Sequence, residues 1–143
     1  MKKHKFSCER GGLTIRGNLF QPEGENLPIA ILSHGFMANQ STMKGYAQAA
    51  AELGFAAFTY DFCGGCLWGR SDGKTTDMSV LTEVEDLKAV IAYASSLSFT
   101  DESRIVLIGA SQGGFVSALT AAQMGNKIER LVLFYPALCI PDD

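Results

Sequence analysis

The residues best suited to carry out a chemical reaction are the six from 109 to 114, which read Gly-Ala-Ser-Gln-Gly-Gly. They stand between a short apolar run and a segment with helical periodicity. A serine in the pattern Gly-x-Ser-x-Gly, on a turn from strand to helix, has a strained backbone and an exposed hydroxyl. The glycines, here Gly109 and Gly113, let neighbouring elements approach. We therefore expect Ser111 to act as a nucleophile, with the N–H groups and the positive dipole end of the following helix beside it.

Two other interpretations of this segment compete with a nucleophile. A glycine-rich turn that only packs has the same composition, but a strand before the turn and a helix after it favour the nucleophile. A dinucleotide-binding loop needs the spacing Gly-x-Gly-x-x-Gly, whereas the glycines here are spaced Gly-x-x-x-Gly-Gly. We therefore expect no cofactor.

A second segment of interest, Ser33-His34-Gly35-Phe36, lies where the apolar run at 29–33 ends. In an acyl-transfer reaction this loop would supply one of two N–H donors to the oxyanion, and each donor is worth about 2.7–4 kcal/mol. We assign the oxyanion hole to the backbone N–H groups of Phe36 and Gln112. We expect Gly35 and His34 to shape the loop, with His34 orienting it rather than transferring protons.

Apolar runs alternate along the chain with longer stretches of helical spacing, which is typical of an α/β fold. Before this alternation, Gly11-Gly12 separates two strands and predicts an antiparallel hairpin. The expected fold is a hairpin that leads into a mostly parallel sheet flanked by helices. The predicted strands cover residues 4–9, 13–20, 29–33, 55–61, 104–109 and 128–135, and the predicted helices cover residues 41–53, 80–97 and 112–124.

The first two helices carry further expectations. Ser41 is expected to cap the first helix. Acidic residues early in the second helix complement its dipole, namely Glu83, Glu85 and Asp86. Helical spacing predicts a buried face on the first helix that consists of Met43, Tyr46, Ala47, Ala50 and Leu53. The predicted buried face of the second helix consists of Val80, Leu81, Val84, Leu87, Val90, Ile91, Ala94 and Leu97.

Composition limits the possible partners. The 143 residues carry 12 Lys and Arg against 15 Asp and Glu, a net charge of −3, without a basic cluster. We therefore expect no nucleic-acid or membrane partner. No apolar stretch reaches the ~20 residues of a membrane span, and no apolar region follows the basic N-terminus, so we expect a cytoplasmic protein.

Cys63-Gly64-Gly65-Cys66 could form a redox pair or half of a metal site. A thioredoxin-type cysteine sits at a helix N-terminus, whereas this pair lies in a glycine-rich loop. Zinc would need two further ligands, which Cys8 and Cys139 are poorly placed to supply together. We expect small loop residues and no metal.

The order of these features resembles the α/β-hydrolases, and in particular bacterial serine esterases of the cinnamoyl (feruloyl) esterase type. The shared features are the N-terminal hairpin, His34-Gly35-Phe36, Tyr60-Asp61-Phe62, Ser71-Asp72-Gly73, Glu83-x-Glu85-Asp86 and the segment 109–114. The resemblance implies that Ser111 attacks an ester carbonyl and that water releases the resulting acyl-enzyme. It implies a small-molecule ester as substrate, and the residues alone are also compatible with a thioesterase or a peptidase.

The sequence departs from this family in its triad, whose order along the chain is Ser, then Asp or Glu, then His. No histidine follows His34, and the carboxylates after Glu129 are Asp142 and Asp143. By resemblance, residues 1–143 form one incomplete domain that reaches about the sixth strand and lacks the lid and the seventh and eighth strands. We expect such a chain to be almost inactive alone and to expose an apolar sheet edge, which a second copy or a complementing chain would cover.

Three functional hypotheses follow. The first is a serine carboxylic-ester hydrolase that works by an acyl-enzyme in its complete form. The alternative is a non-catalytic module for binding or assembly, or one that a second chain completes. The third is thiol redox chemistry at Cys63 and Cys66.

Overall fold

The computed structural model describes residues 1–35, 38–64, 71–73 and 79–134. They form a six-stranded sheet with helices on both faces. The strands are β1 (Lys2–Arg10), β2 (Leu13–Gln21), β3 (Leu27–Ser33), β4 (Ala56–Tyr60), β5 (Thr100–Ala110) and β6 (Arg130–Phe134). The helices are α1 (Lys44–Glu52), α2 (Val80–Ser95) and α3 (Gln112–Met124), and short 3₁₀ turns cover Gln40–Met43 and Gly125–Lys127.

The strand order is β1-β2-β4-β3-β5-β6. β1 pairs with β2 and β2 with β4 in antiparallel fashion, whereas β4, β3, β5 and β6 run parallel. Gly11 and Gly12 join β1 to β2 with φ angles of 55° and 83°, a conformation that glycine adopts without strain. The expected hairpin and mostly parallel sheet are confirmed.

Successive side chains of β3 point to opposite faces of the sheet, and both faces are buried, which explains why its sequence is apolar throughout. Ile29 and Ile31 pack on one face in the cluster that includes α2, and Ala30 and Leu32 pack on the other face against α1. A strand in the middle of a parallel sheet has no solvent face, so both sets of side chains must be apolar.

The first helix differs from the prediction. Asn39, not Ser41, caps the 3₁₀ turn before it, because the Asn39 side chain accepts a hydrogen bond from the Ser41 N–H. Ala47, Ala50 and Ala51 form the buried face together with Met43. Tyr46 and Leu53 were expected to be buried and are instead 47% and 79% exposed. The small alanine side chains allow α1 to pack close to the sheet. The buried face of α1 is therefore narrower than the face predicted from its apolar residues.

The second helix also differs in detail. Leu81 was expected to be buried and is instead exposed, whereas Leu87 and Ile91 are buried as expected. Glu83 lies in the first turn of α2, where a negative charge complements the positive end of the helix dipole. Asp86 lies further along and is buried like Glu83, so both carboxyls have partners within the protein rather than in solvent. No helix in the described ranges is long and apolar enough to cross a membrane.

Asp86 joins the hairpin to the second helix. Its Oδ1 lies 2.7 Å from Arg10 Nε on β1, and its Oδ2 accepts the Cys63 N–H at 2.8 Å. Burial raises the pKa of Asp86 even though both contacts favour the carboxylate, so the ion pair does not fully offset the loss of water. The same pair raises the pKa of Arg10, which keeps partial access to solvent. Asp86 is therefore a structural carboxylate whose partners depend on it.

Replacing Asp86 by alanine should lower the free energy of unfolding by about 3 kcal/mol, because the Arg10 charge and the Cys63 N–H lose their partner. Urea denaturation at neutral pH measures this change. Glu85→Ala is the matched control: Glu85 is exposed on the same helix and lies 3.7 Å from Lys88. A loss of equal size in both variants would show that Asp86 does not join β1 to α2.

Candidate active site

The backbone at Ser111 adopts the strained conformation that an exposed nucleophile requires. Ser111 lies between β5 and α3 with φ 54° and ψ −122°, in a region that residues other than glycine rarely occupy. Its N–H donates to the Phe134 carbonyl at 2.9 Å, and its own carbonyl accepts the N–H groups of Gly114 and Phe115. Hydrogen bonds on both sides thus hold the turn, and the side chain is left exposed.

Two glycines allow the chain to fold this tightly. A Cβ on Gly109 would lie 2.3 Å from the Gly113 carbonyl oxygen. A Cβ on Gly113 would lie 2.3 Å from the carbonyl oxygens of Ser33 and His34. The end of β3, the end of β5 and the start of α3 therefore meet backbone against backbone, and no larger residue fits at either glycine.

Gly35 and Gln112 lie on two sides of Ser111. Gly35 follows β3, and a Cβ built on it would be 3.3 Å from Ser111 Cβ and 3.8 Å from its Oγ. Phe36, the expected donor from this loop, lies outside the described residues. Gln112 is the first residue of α3, and the first N–H groups of a helix have no acceptor within it. The Gln112 N–H is thus placed beside the serine at the positive end of the helix.

His34 connects the ends of two strands. It is buried, its Nε2 accepts the Phe62 N–H at 3.1 Å, and its Nδ1 lies 2.7 Å from the Gly35 carbonyl oxygen. Since Nε2 accepts, Nδ1 carries the proton and donates to Gly35. Burial lowers the pKa of His34, which favours this neutral form. Both ring nitrogens are engaged with backbone groups, which supports a role in orienting the loop.

Asp61 and Asp72 bind backbone and side-chain groups of neighbouring segments. Asp61 accepts the Gln40 N–H at 2.7 Å. Asp72 accepts the Thr14 N–H at 3.0 Å and pairs with Arg16 at 2.7 Å. These contacts lower the pKa of Asp72, the Arg16 side chain contributing most.

Glu83 is a site neighbour that sequence reasoning missed. One of its carboxyl oxygens accepts a hydrogen bond from the side-chain amide of Gln112. Burial raises the pKa of Glu83 to about 7, and nearby Asp86 adds to the rise, while the bond from Gln112 opposes it. Its spacing from Leu87 and Val90 places Glu83 on the apolar stripe of α2, and an acidic residue on such a stripe is the signal that could have revealed it.

Cys63 lacks the features of a reactive thiol. It is buried, and burial together with Asp86 raises its pKa to about 12, so the thiol stays protonated at neutral pH. Cys66 lies outside the described residues. Among the residues that the structure describes, no group of three or more His, Cys, Asp or Glu side chains could hold a metal ion.

Substituting Gly113 by alanine should lower the free energy of unfolding by at least about 2 kcal/mol, because the added Cβ overlaps two carbonyl oxygens. Gly45→Ala is the matched control. Gly45 lies on α1 with nothing within 4 Å of a Cβ, and alanine there should stabilise the protein by about 0.5–1 kcal/mol. Urea unfolding compares the two, and an equally mild effect at both positions would contradict the close approach at Gly113.

Glu83 should make stability depend on pH. A carboxyl whose pKa rises from 4.5 to about 7 on folding binds more protons folded than unfolded between these values. The free energy of unfolding should therefore fall as the pH rises from 4.5 to 7. Glu83→Gln keeps the acceptor and removes the charge, so the variant should match the natural protein at low pH and exceed it by about 3 kcal/mol at pH 8. Urea unfolding across this range measures the difference, and parallel pH curves would contradict the raised pKa.

Comparison with known proteins places this geometry in a family. The family model described as "Serine aminopeptidase, S33" matches residues 24–143. An uncharacterized 31.7 kDa Escherichia coli protein, encoded in the traX-finO intergenic region, is 37% identical over 131 residues, which cover 90% of this chain and 43% of that protein. A monoacylglycerol lipase of Mycolicibacterium smegmatis is 28% identical over 137 residues, covering 95% of this chain and 47% of the lipase.

A solved structure shows the same arrangement of elements. Est1E from Butyrivibrio proteoclasticus, with bound ferulic acid, superposes with a TM-score of 0.88 at 29% identity and covers 96% of this chain and 55% of its own. The chain therefore spans about half the length of the relatives it matches. With the strained serine, the two glycines and the parallel sheet, the match over residues 24–143 shows that the chain belongs to the S33 serine aminopeptidase family of α/β-hydrolases.

Proposed function

We propose that this chain carries the nucleophile and the oxyanion hole of a serine hydrolase that cleaves small-molecule carboxylic esters. The observation that carries the proposal is Ser111 itself, which is exposed and strained at the start of α3 and lies next to Gly35. A non-glycine residue held at positive φ costs free energy, and such residues cluster at active sites. One relative is named a monoacylglycerol lipase, and the similar Est1E structure holds ferulic acid, a carboxylic acid. Both support a carboxylic ester as substrate.

The reaction would proceed in two halves. Ser111 Oγ attacks the carbonyl carbon as its proton passes to a base. The negative oxygen of the tetrahedral intermediate accepts hydrogen bonds from the backbone N–H groups of Phe36 and Gln112. Collapse of the intermediate breaks the bond to the alcohol, which leaves with the proton from the base. Water then adds to the acyl-enzyme by the same route, releasing the acid and regenerating Ser111.

The base is the part that the described residues do not place at Ser111. The chain has two histidines, His4 and His34. His4 lies on β1 at the opposite edge of the sheet from β6, and both ring nitrogens of His34 are engaged with backbone groups. We propose that the histidine and its acid come from polypeptide outside these residues. Without them, residual rate enhancement would be limited to about 10³–10⁴ over water.

An assembly role is the second candidate, and β6 is the observation that favours it. In the part of the chain that the structure describes, β6 forms one edge of the sheet, and Leu131 and Val132 on it are exposed. An apolar edge strand with unpaired backbone groups is a template for a further strand. In this second proposal a complementing chain or a second copy pairs with β6 and places its side chains beside Ser111.

Fusing residues 1–134 to the C-terminal half of Est1E tests the first proposal, because that half supplies the elements beyond β6. The fusion protein should hydrolyse p-nitrophenyl butyrate and react with a fluorophosphonate probe. Ser111→Ala should abolish labelling and lower kcat by about 10⁴–10⁶-fold, since the nucleophile is lost.

Ser117→Ala is the matched control. Ser117 is a buried serine on the same helix, and no described residue hydrogen-bonds its hydroxyl, so labelling and hydrolysis should persist. Labelling that survives in Ser111→Ala would overturn the assignment of the nucleophile. Cleavage of leucine p-nitroanilide without cleavage of the ester would replace the esterase proposal with a peptidase. Light scattering of the 143-residue chain decides the second candidate: a dimer or a co-purified chain supports it, and a folded monomer contradicts it.

A further inference from the structure

Glu83 is a buried carboxyl group that the reaction scheme above does not use. It lies in the first turn of α2 and is 1% exposed. None of the ion pairs in the described ranges includes it, and its side chain bonds instead to the neutral amide of Gln112. Burying a carboxyl against an uncharged partner costs free energy that an apolar residue would avoid. Packing of α2 alone therefore does not account for glutamate at this position.

The second buried carboxyl of α2 has a different task. Asp86, one turn along the helix, pairs with Arg10 of β1 and accepts the Cys63 N–H. It holds the hairpin and the segment after β4. Glu83 contacts α3 instead, at its first residue. The contact from Glu83 thus reaches the segment that carries the candidate nucleophile.

The main chain around Gln112 is already fixed on both sides. The Ser111 N–H is held by the Phe134 carbonyl at 2.9 Å. Gly113 rests against the carbonyl oxygens of Ser33 and His34. Between these two points, the hydrogen bond to Glu83 also restrains the Gln112 side chain.

We propose that Glu83 is a positioning residue, which acts through the side-chain amide of Gln112 to hold the Gln112 N–H in line with the oxyanion that forms on the substrate. This proposal rests on the proposed function, because the Gln112 N–H has this task only where Ser111 attacks a carbonyl. A hydrogen bond weakens steeply as its angle departs from linearity. Since the oxyanion exists only during the reaction, misalignment lowers kcat and leaves KM nearly unchanged.

Charge on Glu83 adds a pH dependence to this role. Among the described residues, the titratable groups that interact with Glu83 are Asp86 on its own helix and Tyr60 of β4. Asp86 in turn pairs with Arg10 of β1. From α3 it meets the uncharged Gln112. An ionised Glu83 places a negative charge one hydrogen bond away from Gln112 and opposes an oxyanion at its N–H. With the pKa of Glu83 at about 7, kcat should fall as the pH rises above neutrality.

The contact can be tested without any catalysis. In ¹⁵N–¹H spectra of the 143-residue chain, the side-chain NH₂ signals of Gln112 are identified by their absence in Gln112→Met. They should titrate with a midpoint near pH 7 in the natural protein. The same midpoint is expected in Glu85→Gln, an exposed control two positions along α2, and no titration is expected in Glu83→Gln. Signals that titrate unchanged in Glu83→Gln would overturn the proposal.

The role in the reaction is tested in the Est1E fusion. Glu83→Leu should lower kcat about tenfold with KM within twofold, since the N–H donor loses its alignment. Gln112→Met removes the other half of the contact and should give the same loss. Glu83→Gln should restore kcat and remove the fall at alkaline pH, while Glu85→Gln should behave as the natural sequence.

The outcomes separate the two proposals. Equal losses in Glu83→Leu and Glu83→Gln, or a change in KM alone, would overturn the positioning role. A fusion that hydrolyses no ester, combined with a Gln112 signal that responds to Glu83→Gln, would overturn ester hydrolysis while the contact between the two side chains stands.

Discussion

The site depends on one steric constraint, the contact of three backbone segments around Gly109 and Gly113. The carbonyl oxygens of Ser33 and His34 occupy the space of a Gly113 Cβ, and the Gly113 carbonyl occupies that of a Gly109 Cβ. Because both residues are glycines, α3 can start directly against the ends of β3 and β5. No side chain larger than hydrogen fits at either position. This close approach forces Ser111 to positive φ and turns its side chain outward. The exposed serine is thus a consequence of how the sheet and α3 pack.

The parallel sheet places the remaining parts at one edge. β3 and β5 pair in register from Ile29 with Ile105 to Ser33 with Gly109. The carboxyl ends of parallel strands meet at the same edge of a sheet, where open α/β folds bind their ligands. β6 continues the register, so that Phe134 pairs with Ala110 and its carbonyl holds the Ser111 N–H. Each neighbouring strand therefore contributes a backbone group that fixes the turn.

Buried polar side chains connect these strand ends to one another and to the helices. His34 bridges the ends of β3 and β4, Asp86 joins α2 to β1, and Glu83 joins α2 to the start of α3. Each carries a desolvation cost, which appears as a lowered pKa for His34 and raised pKa values for the two carboxyls. A polar group buried at such a cost restricts the orientation of its partner, which an apolar side chain cannot do.

The sequence by itself determined the elements and the identity of the turn. Continuous apolar runs specified buried strands, the Gly11-Gly12 turn specified the hairpin, and Gly-x-Ser-x-Gly between strand and helix specified the position of Ser111, because these signals are local. Only the tertiary structure decided which faces are buried and which polar groups meet. The bonds of Glu83 to Gln112 and of Asp86 to Arg10 join residues far apart in sequence. The exposure of Tyr46 and Leu81 likewise depends on how the helices pack on the sheet. The spacing of apolar residues predicts which face of a helix or strand is buried. Whether a carboxyl group can also be buried depends on the partner that folding brings to it.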